Sequence, residues 1–231
     1  MQKDNVRIQA ETKIKYKSWF KNQNRLNTRE QYYLRRYCQI FDNSLYLRGG
    51  GTILEVGFGD GKMLRELSNI YKDAKFIGVE AREKCVADMK TLGYDCRFVS
   101  TEIFDMGEEF DIIYGNAVLH HMSNPYLTLE SLLKLLKPKG ILVFTGESHP
   151  FCIPDIIYVS IKNEWSVEKN LLKMNRLRFV EILSRYPGTF YVKYDGNPVI
   201  ACFKKINSIY EKFYMNRIPF WNSMMIFFEN E

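Results

Sequence analysis

The amino-acid sequence predicts a doubly wound α/β fold with a mostly parallel sheet, preceded by a helical N-terminal extension. The first observation is an apolar strand that runs directly into a glycine-rich turn, Gly57-Phe58-Gly59-Asp60-Gly61. The second is that apolar runs of strand length alternate with segments of helical spacing between residues 52 and 145. Alternation of this kind with short connections is typical of a parallel sheet covered by helices on both faces.

The composition is that of a globular protein. The chain has 231 residues, a net charge of +6 and no run of about 18 apolar residues, so we expect no transmembrane segment. Residues 1–21 are polar and lack the apolar core of a secretion signal. The five cysteines are scattered and form no Cys-x-x-Cys pair, which favours neither a disulfide framework nor a zinc site. These features predict a cytoplasmic protein.

The positive charge is concentrated at the N-terminus. Residues 1–48 contain 11 basic and 4 acidic residues, a net +7, whereas the rest of the chain carries −1. The segment has no glycine or proline and shows helical spacing of aromatic residues, and Gly49-Gly50-Gly51 follows it. We therefore predict a helical arm or lid over 1–48 and a catalytic domain over 49–231. A basic arm could steer an acidic partner, but a solvated helix explains the same charges.

The remaining elements follow from periodicity and breakers. The predicted strands are Thr52–Val56, Lys75–Glu80, Asp95–Val99, Phe110–Tyr114, Gly140–Thr145, Thr189–Tyr194 and Met224–Phe228. The predicted helices after the arm are Gly61–Tyr71, Arg82–Leu92, Tyr126–Leu136 and Glu168–Tyr186.

The glycine-rich turn indicates a ligand site, because ligands of open parallel sheets bind at the carboxyl ends of the strands. Its Gly-x-Gly-x-Gly spacing leaves Lys62 where a dinucleotide fingerprint needs its last glycine. Glu55, two residues before the turn, would repel a pyrophosphate but complements the positively charged methionine end of S-adenosylmethionine. Charge complementarity therefore favours S-adenosylmethionine over NAD.

Further blocks in the same order carry a resemblance. Glu80 ends the second strand, Phe110–His121 covers a fourth strand and its loop, and Leu135–Val143 leads into a fifth through Pro-Lys-Gly. With the glycine turn, these blocks span about 95 residues, and the sequence resembles the class I S-adenosylmethionine-dependent methyltransferase family, small-molecule type.

The resemblance implies a seven-stranded sheet with an antiparallel last strand, and S-adenosylmethionine as cofactor. It assigns both ribose hydroxyls to Glu80 and the adenine amino group to Glu102, whose register could slip to Thr101 or Ser100. Asn116 would border the methionine end or cap a turn. The implied cofactor-binding residues are Glu55, Gly57, Phe58, Gly59, Gly61, Glu80, Ala81, Thr101, Glu102 and Asn116.

Histidine is the candidate base for the reaction. An imidazole with a pKa near 6.5 can accept a proton from an attacking hydroxyl at neutral pH. His121, or its neighbour His120, is the candidate catalytic residue, although histidines at this place also serve as pocket lining. Glu147 and His149, after the fifth strand, either face the acceptor or shape the loop. No pair of these residues has metal-ligand spacing, so we predict no metal.

Three functions compete. The leading prediction is a methyltransferase acting on oxygen of a small molecule, a sugar or a lipid-linked metabolite, because no Asn/Asp-Pro-Pro-aromatic motif follows the fourth strand. The second is an RNA or protein methyltransferase that grips its substrate with the basic arm. The third is an S-adenosylmethionine-binding module without activity.

Overall fold

The structure is a computed structural model that describes residues 26, 28–43, 50–99, 104–161, 169–196 and 222–231. The chain divides into two compact units, residues 1–101 and residues 102–231. The division into an arm over 1–48 and a catalytic domain over 49–231 stays a prediction.

Unit 1 contains a three-stranded parallel sheet in the order β3-β2-β1. Leu54 and Ile77 lie in its strands with no exposed surface, since both faces of a parallel sheet are covered. The elements of its described residues are α1 (Thr28–Asp42), β1 (Thr52–Val56), α2 (Lys62–Ile70), β2 (Lys75–Glu80), α3 (Glu83–Thr91) and β3 (Asp95–Phe98).

Helix α1 presents an aromatic face to the interior of unit 1. Tyr33, Tyr37 and Phe41, each four residues from the next, are all buried. The ring of Tyr71, which follows α2, lies 5.6 Å from that of Phe41, and its hydroxyl donates to Oδ1 of Asp42 at 2.7 Å. These three aromatic residues therefore belong to a packed core. The earlier aromatic residues of the N-terminal segment, Tyr16, Trp19 and Phe20, lie outside the described residues.

The described strands of unit 2 lie in the order β4-β5-β7-β6. Strands β4 and β5 are parallel, and β7 runs antiparallel to both β5 and β6. Two 3₁₀ helices, Leu119–His121 and Lys169–Lys173, lie in its loops. The other elements of its described residues are β4 (Phe110–Asn116), α4 (Pro125–Leu133), β5 (Leu136–Glu147), α5 (Ile153–Ile161), α6 (Arg176–Leu183), β6 (Gly188–Gly196) and β7 (Asn222–Asn230).

The predicted fold class is confirmed: within the described residues unit 1 has three parallel strands, unit 2 has a parallel pair followed by the antiparallel β7 and β6, and helices alternate with strands in both. The helix predicted over Tyr126–Leu136 ends at Leu133, and β5 already begins at Leu136. The pairing of β4 with β5 shifts register between Phe110 and Ile112, and this irregularity lets the strand continue past a proline.

The predicted helix Glu168–Tyr186 was also wrong in extent. A 3₁₀ helix covers Lys169–Lys173, and α6 begins only at Arg176. Asn175 caps α6, because its Oδ1 accepts the backbone N–H of Leu177 at 2.9 Å. In the part of the chain that the structure describes, no helix combines the length and apolar character needed to cross a membrane.

Candidate active site

The glycine-rich turn connects β1 to α2 in unit 1. Gly57, Gly59 and Gly61 have φ values of 68°, 63° and 75°, in the left-handed region that only glycine enters without strain. The N–H of Gly57 donates to the carbonyl of Val79 at 2.8 Å, which fixes the turn to β2. Gly61 caps the N-terminus of α2, the end of a helix that attracts negatively charged or polar ligand groups.

Glu80 stands at the end of β2 with 9% of its surface exposed. Its Oε2 accepts the N–H of Gly59 at 2.8 Å, and its Oε1 accepts the N–H of Ala81 at 3.0 Å. Three predicted cofactor residues are therefore joined through one carboxylate. Phe58, a fourth, is buried in the same turn.

Arg82 is a further residue of this cluster that the sequence analysis did not select. Its Nε lies 3.0 Å from Oε1 of Glu80 and its Nη2 lies 3.1 Å from Oε2, a bidentate pair. Burial lowers the pKa of Arg82, but the charge and hydrogen bonds of Glu80, together with smaller contributions from Cys85 and Asp60, outweigh burial and the net shift is upward. The sequence signal that could have identified Arg82 is its position, two residues after the acid that ends β2.

Glu55 is buried in β1, with 3% of its surface exposed, and pairs in register with Gly78 of β2. Burial raises the pKa of the Cys96 thiol to about 11, and the negative charge of Glu55 is the second cause of that shift. The negative charge of Glu55 is therefore felt in unit 1 where Gly78 of β2 pairs in register with Cys96 of β3. Its predicted role at the methionine end of the cofactor stays a prediction.

Two predicted cofactor residues, Thr101 and Glu102, lie outside the described residues, as does Ser100. The predicted adenine contact therefore stays a prediction.

In unit 2 the buried carboxylate of Glu147, at the end of β5, binds the loop after β4. Its Oε1 accepts the N–H of Val118 at 3.0 Å, and its Oε2 accepts the N–H of His120 at 3.1 Å. The same Oε2 lies 2.8 Å from Nδ1 of His120. Glu147 has no exposed surface and His120 retains 4%, so this is a buried carboxylate–imidazole pair.

The short contact assigns the proton to Nδ1 of His120. The N–H of Ser148 also points at Nδ1, at 3.3 Å, but a nitrogen that carries a proton has no lone pair to accept it. The bond to the buried carboxylate is shorter and charge-assisted, so it prevails. With its proton on Nδ1, a neutral imidazole carries its lone pair on Nε2, the atom that can act as a base.

The remaining predicted residues of unit 2 lie at the ends of β4 and β5 and in the loops that follow them. His121 is half-buried, and its ring centroid lies 4.3 Å from that of His120. Asn116 ends β4, and its Oδ1 accepts the hydroxyl of Thr145 at 3.2 Å. The next residue, Ala117, has a φ of 54°, a left-handed conformation that costs a non-glycine residue about 1 kcal/mol. His149 is buried, with its ring 5.0 Å from that of Tyr194.

Asn170 is another residue of unit 2 that the sequence analysis missed. It lies in the second 3₁₀ helix with no exposed surface, and its Nδ2 donates to the carbonyl of His121 at 3.3 Å. Among the described residues, its Oδ1 has no hydrogen-bond partner. Nothing in the local sequence signals this contact, because 49 positions separate the two residues.

The chain matches the protein family described as "Methyltransferase domain" over residues 28–176, more than half of its length. Ubiquinone biosynthesis O-methyltransferase of Bartonella bacilliformis is 30% identical over 125 residues, covering 50% of this chain and 50% of that protein. Trans-aconitate 2-methyltransferase of Escherichia coli is 27% identical over 92 residues, covering 39% of this chain and 36% of that protein. The chain thus matches about half or less of the length of these curated relatives.

Solved structures resemble all or most of the chain. The plantazolicin methyltransferase BpumL, in complex with a pentazolic desmethylPZN analog and S-adenosylhomocysteine, has a TM-score of 0.67 at 14% identity, covering 100% of this chain and 98% of that chain. A SAM-dependent methyltransferase from Archaeoglobus fulgidus has a TM-score of 0.61 at 14% identity, covering 87% of this chain and 94% of that chain. At such identities the likeness bears on the fold alone.

Proposed function

The chain belongs to the methyltransferase-domain family, and from that premise we propose that it transfers a methyl group from S-adenosylmethionine to an oxygen of a small molecule. The family predicted from the glycine turn and its flanking acids is confirmed, and the domain is that of an S-adenosylmethionine-dependent methyltransferase. The observation that carries the choice of oxygen is the buried pair of Glu147 and His120.

The residues of unit 1 fit the cofactor. S-adenosylmethionine, when bound, supplies a methyl group made electrophilic by a positively charged sulfur. The backbone of the glycine turn would approach the cofactor closely, because Gly57 and Gly59 carry no side chain. Glu80 would accept the ribose hydroxyls, and the buried charge of Glu55 would favour the positively charged methionine end.

The residues of unit 2 fit removal of a proton. Glu147 holds the Nδ1–H of His120, so Nε2 would take the proton of an acceptor hydroxyl, whose oxygen would receive the methyl group that S-adenosylmethionine supplies. The carboxylate also stabilises the imidazolium that results, as in other carboxylate–histidine pairs. The chain thereby supplies orientation and a base to a displacement in which proximity carries much of the rate.

The relatives support the same choice without fixing the substrate. One carries the name O-methyltransferase, and the other is named for methylation of trans-aconitate. Hydroxyl and carboxyl oxygens are therefore the acceptor atoms to screen first. The RNA or protein alternative stays a prediction, and the buried aromatic face of α1 removes Tyr33, Tyr37 and Phe41 from the residues that could stack on bases.

Calorimetric titration with S-adenosylmethionine and S-adenosylhomocysteine tests the cofactor site. We expect micromolar binding to the wild type that is lost in Glu80→Ala and kept in Glu83→Ala, an exposed acid three positions along the chain. Circular dichroism of each variant controls for folding. Absence of binding in a folded wild-type protein would refute the proposal.

Transfer of a radiolabelled methyl group to hydroxylated and carboxylated metabolites then tests the acceptor class. Among oxygen-methylated products, ethers are stable to mild base, whereas carboxyl esters are hydrolysed. Labelling of RNA or protein, with no labelling of small molecules, would favour the second alternative.

A further inference from the structure

More hydrogen-bond donors point at the carboxylate of Glu80 than it has lone pairs to accept them. Five N–H groups point at its two oxygens, and three of them belong to Arg82. A carboxylate offers about four lone-pair sites. Two hydroxyl groups therefore cannot be added to Glu80 unless some of the present donors leave.

We propose that the guanidinium of Arg82 competes with the ribose of the cofactor for Glu80 and is exchanged for it on binding. The inference rests on the proposed function, which assigns the ribose hydroxyls to Glu80. The Nε–H and Nη2–H of Arg82 supply two donors side by side, and a ribose with two adjacent hydroxyls supplies two donors as well. Arg82 is thus a residue that sets cofactor affinity.

The side-chain donors can be exchanged without any change in the backbone. The N–H of Gly59 is held by the turn, which is anchored to β2 through Gly57 and Val79. The backbone of Arg82 is the N-terminal cap of α3, and its carbonyl accepts the N–H of Val86 at 3.2 Å. The Arg82 side chain, in contrast, leaves Glu80 by rotation about its own bonds.

The strength of the pair makes the competition measurable. The side chain of Arg82 is 15% exposed and that of Glu80 is 9% exposed, so solvent screens the bidentate contact less than a surface ion pair. Asp60 also raises the pKa of Arg82, so its negative charge acts on the guanidinium as well. A displaced side chain would therefore stay in a region of negative charge.

The experiment measures the Kd of S-adenosylhomocysteine and of its 2′-deoxyribose analogue for the wild type, Arg82→Ala, Arg82→Lys and Arg97→Ala. The last is a matched control, an arginine of β3 in an exposed ion pair with Asp95. We expect Arg82→Ala to bind S-adenosylhomocysteine about fivefold more tightly than the wild type, because the bidentate, charge-assisted contact no longer has to be exchanged for the ribose. Arg82→Lys should fall between them, because an ammonium cannot form the bidentate contact.

The 2′-deoxyribose analogue tests whether competition with the ribose causes the tighter binding by Arg82→Ala. If Arg82 competes for the ribose, the gain in Arg82→Ala shrinks for the 2′-deoxy analogue, which donates one hydrogen bond fewer. Unchanged or weaker binding of S-adenosylhomocysteine to a folded Arg82→Ala, with normal binding by the wild type, would overturn the inference and leave the proposed function standing. If Arg82→Ala does not fold, an Arg82→Lys affinity equal to or weaker than the wild type overturns it instead. No binding by the wild type would remove the proposed function and this inference together.

Discussion

The side chain of Glu147 bonds His120 twice, once through the backbone N–H at 3.1 Å and once through Nδ1 at 2.8 Å. The loop after β4 and the end of β5 are therefore held by one buried carboxylate. This contact fixes both the position of the imidazole and the nitrogen that carries its proton.

We expect His120→Gln to reduce kcat roughly 10²–10⁴-fold, the range of general base catalysis, while the Kd of the cofactor stays within about twofold of the wild-type value. Glutamine keeps a polar side chain but cannot take up the proton. The measurement is methyl transfer at saturating substrate, together with calorimetric binding of S-adenosylmethionine.

His121→Gln separates the two predicted histidines. If His120 is the base, His120→Gln should reduce kcat far more than His121→Gln does. Equal effects, or a larger effect at His121, would contradict the assignment of the base to His120.

Gly115→Ala in β4 should lower the free energy of unfolding by about 1–3 kcal/mol, the usual cost of overpacking. An added Cβ would lie 2.5 Å from the ring of Phe144, which has no exposed surface, and 2.8 Å from Val118. Denaturation in guanidinium chloride measures the change. Gly93→Ala is the comparison. The added Cβ would meet nothing within 4 Å there, so any loss of stability comes from the backbone φ of 85° and not from overpacking.

Tyr71→Phe should destabilise the protein by about 0.5–1.5 kcal/mol, because the hydroxyl donates to Asp42 and phenylalanine keeps only the ring contact with Phe41. Burial is the main cause of the raised pKa of Tyr71, and the bond to Asp42 is the second, so the hydroxyl stays protonated in alkaline solution. A double-mutant cycle with Asp42→Ala isolates this pair. A coupling energy of zero would show that the hydrogen bond between Tyr71 and Asp42 contributes nothing to stability.

Cys85 and Cys96 should resist alkylation in the folded protein at pH 8. Burial raises the pKa of both thiols to about 11, so only about one in a thousand of either is the reactive thiolate at that pH. Peptide mass spectrometry after iodoacetamide treatment, with and without guanidinium chloride, measures labelling at each cysteine. Rapid labelling of either thiol without denaturant would contradict their burial.

Much of the parallel sheet follows from local sequence. The bounds of β1 and β2 match the prediction to the residue, because each is a short, mostly apolar run that is buried along most of its length; Gly57 follows β1 and the acid Glu80 closes β2. The start of β5 was missed, since the spacing of Leu132, Leu133 and Leu136 is also that of a helix. Only the pairing with Phe110, distant in the chain, assigns Leu136 to a strand.

The candidate site shows the same limit. Glu80 was predictable, because it closes an apolar strand after a glycine-rich turn. The contact between Glu147 and His120 was not, because 27 positions separate the two residues and only the register of β4 with β5 brings them together. The sequence analysis selected both residues but assigned no interaction between them.

The carboxylate of Glu147 also limits how this enzyme could be re-engineered. It bonds the backbone at Val118 and His120, so the segment after β4 depends on a residue encoded almost thirty codons later. A chimaera that imports this segment from a relative without its matching acid would leave two buried amide groups unsatisfied. Exchange of substrate preference by grafting therefore has to transplant both segments as one unit.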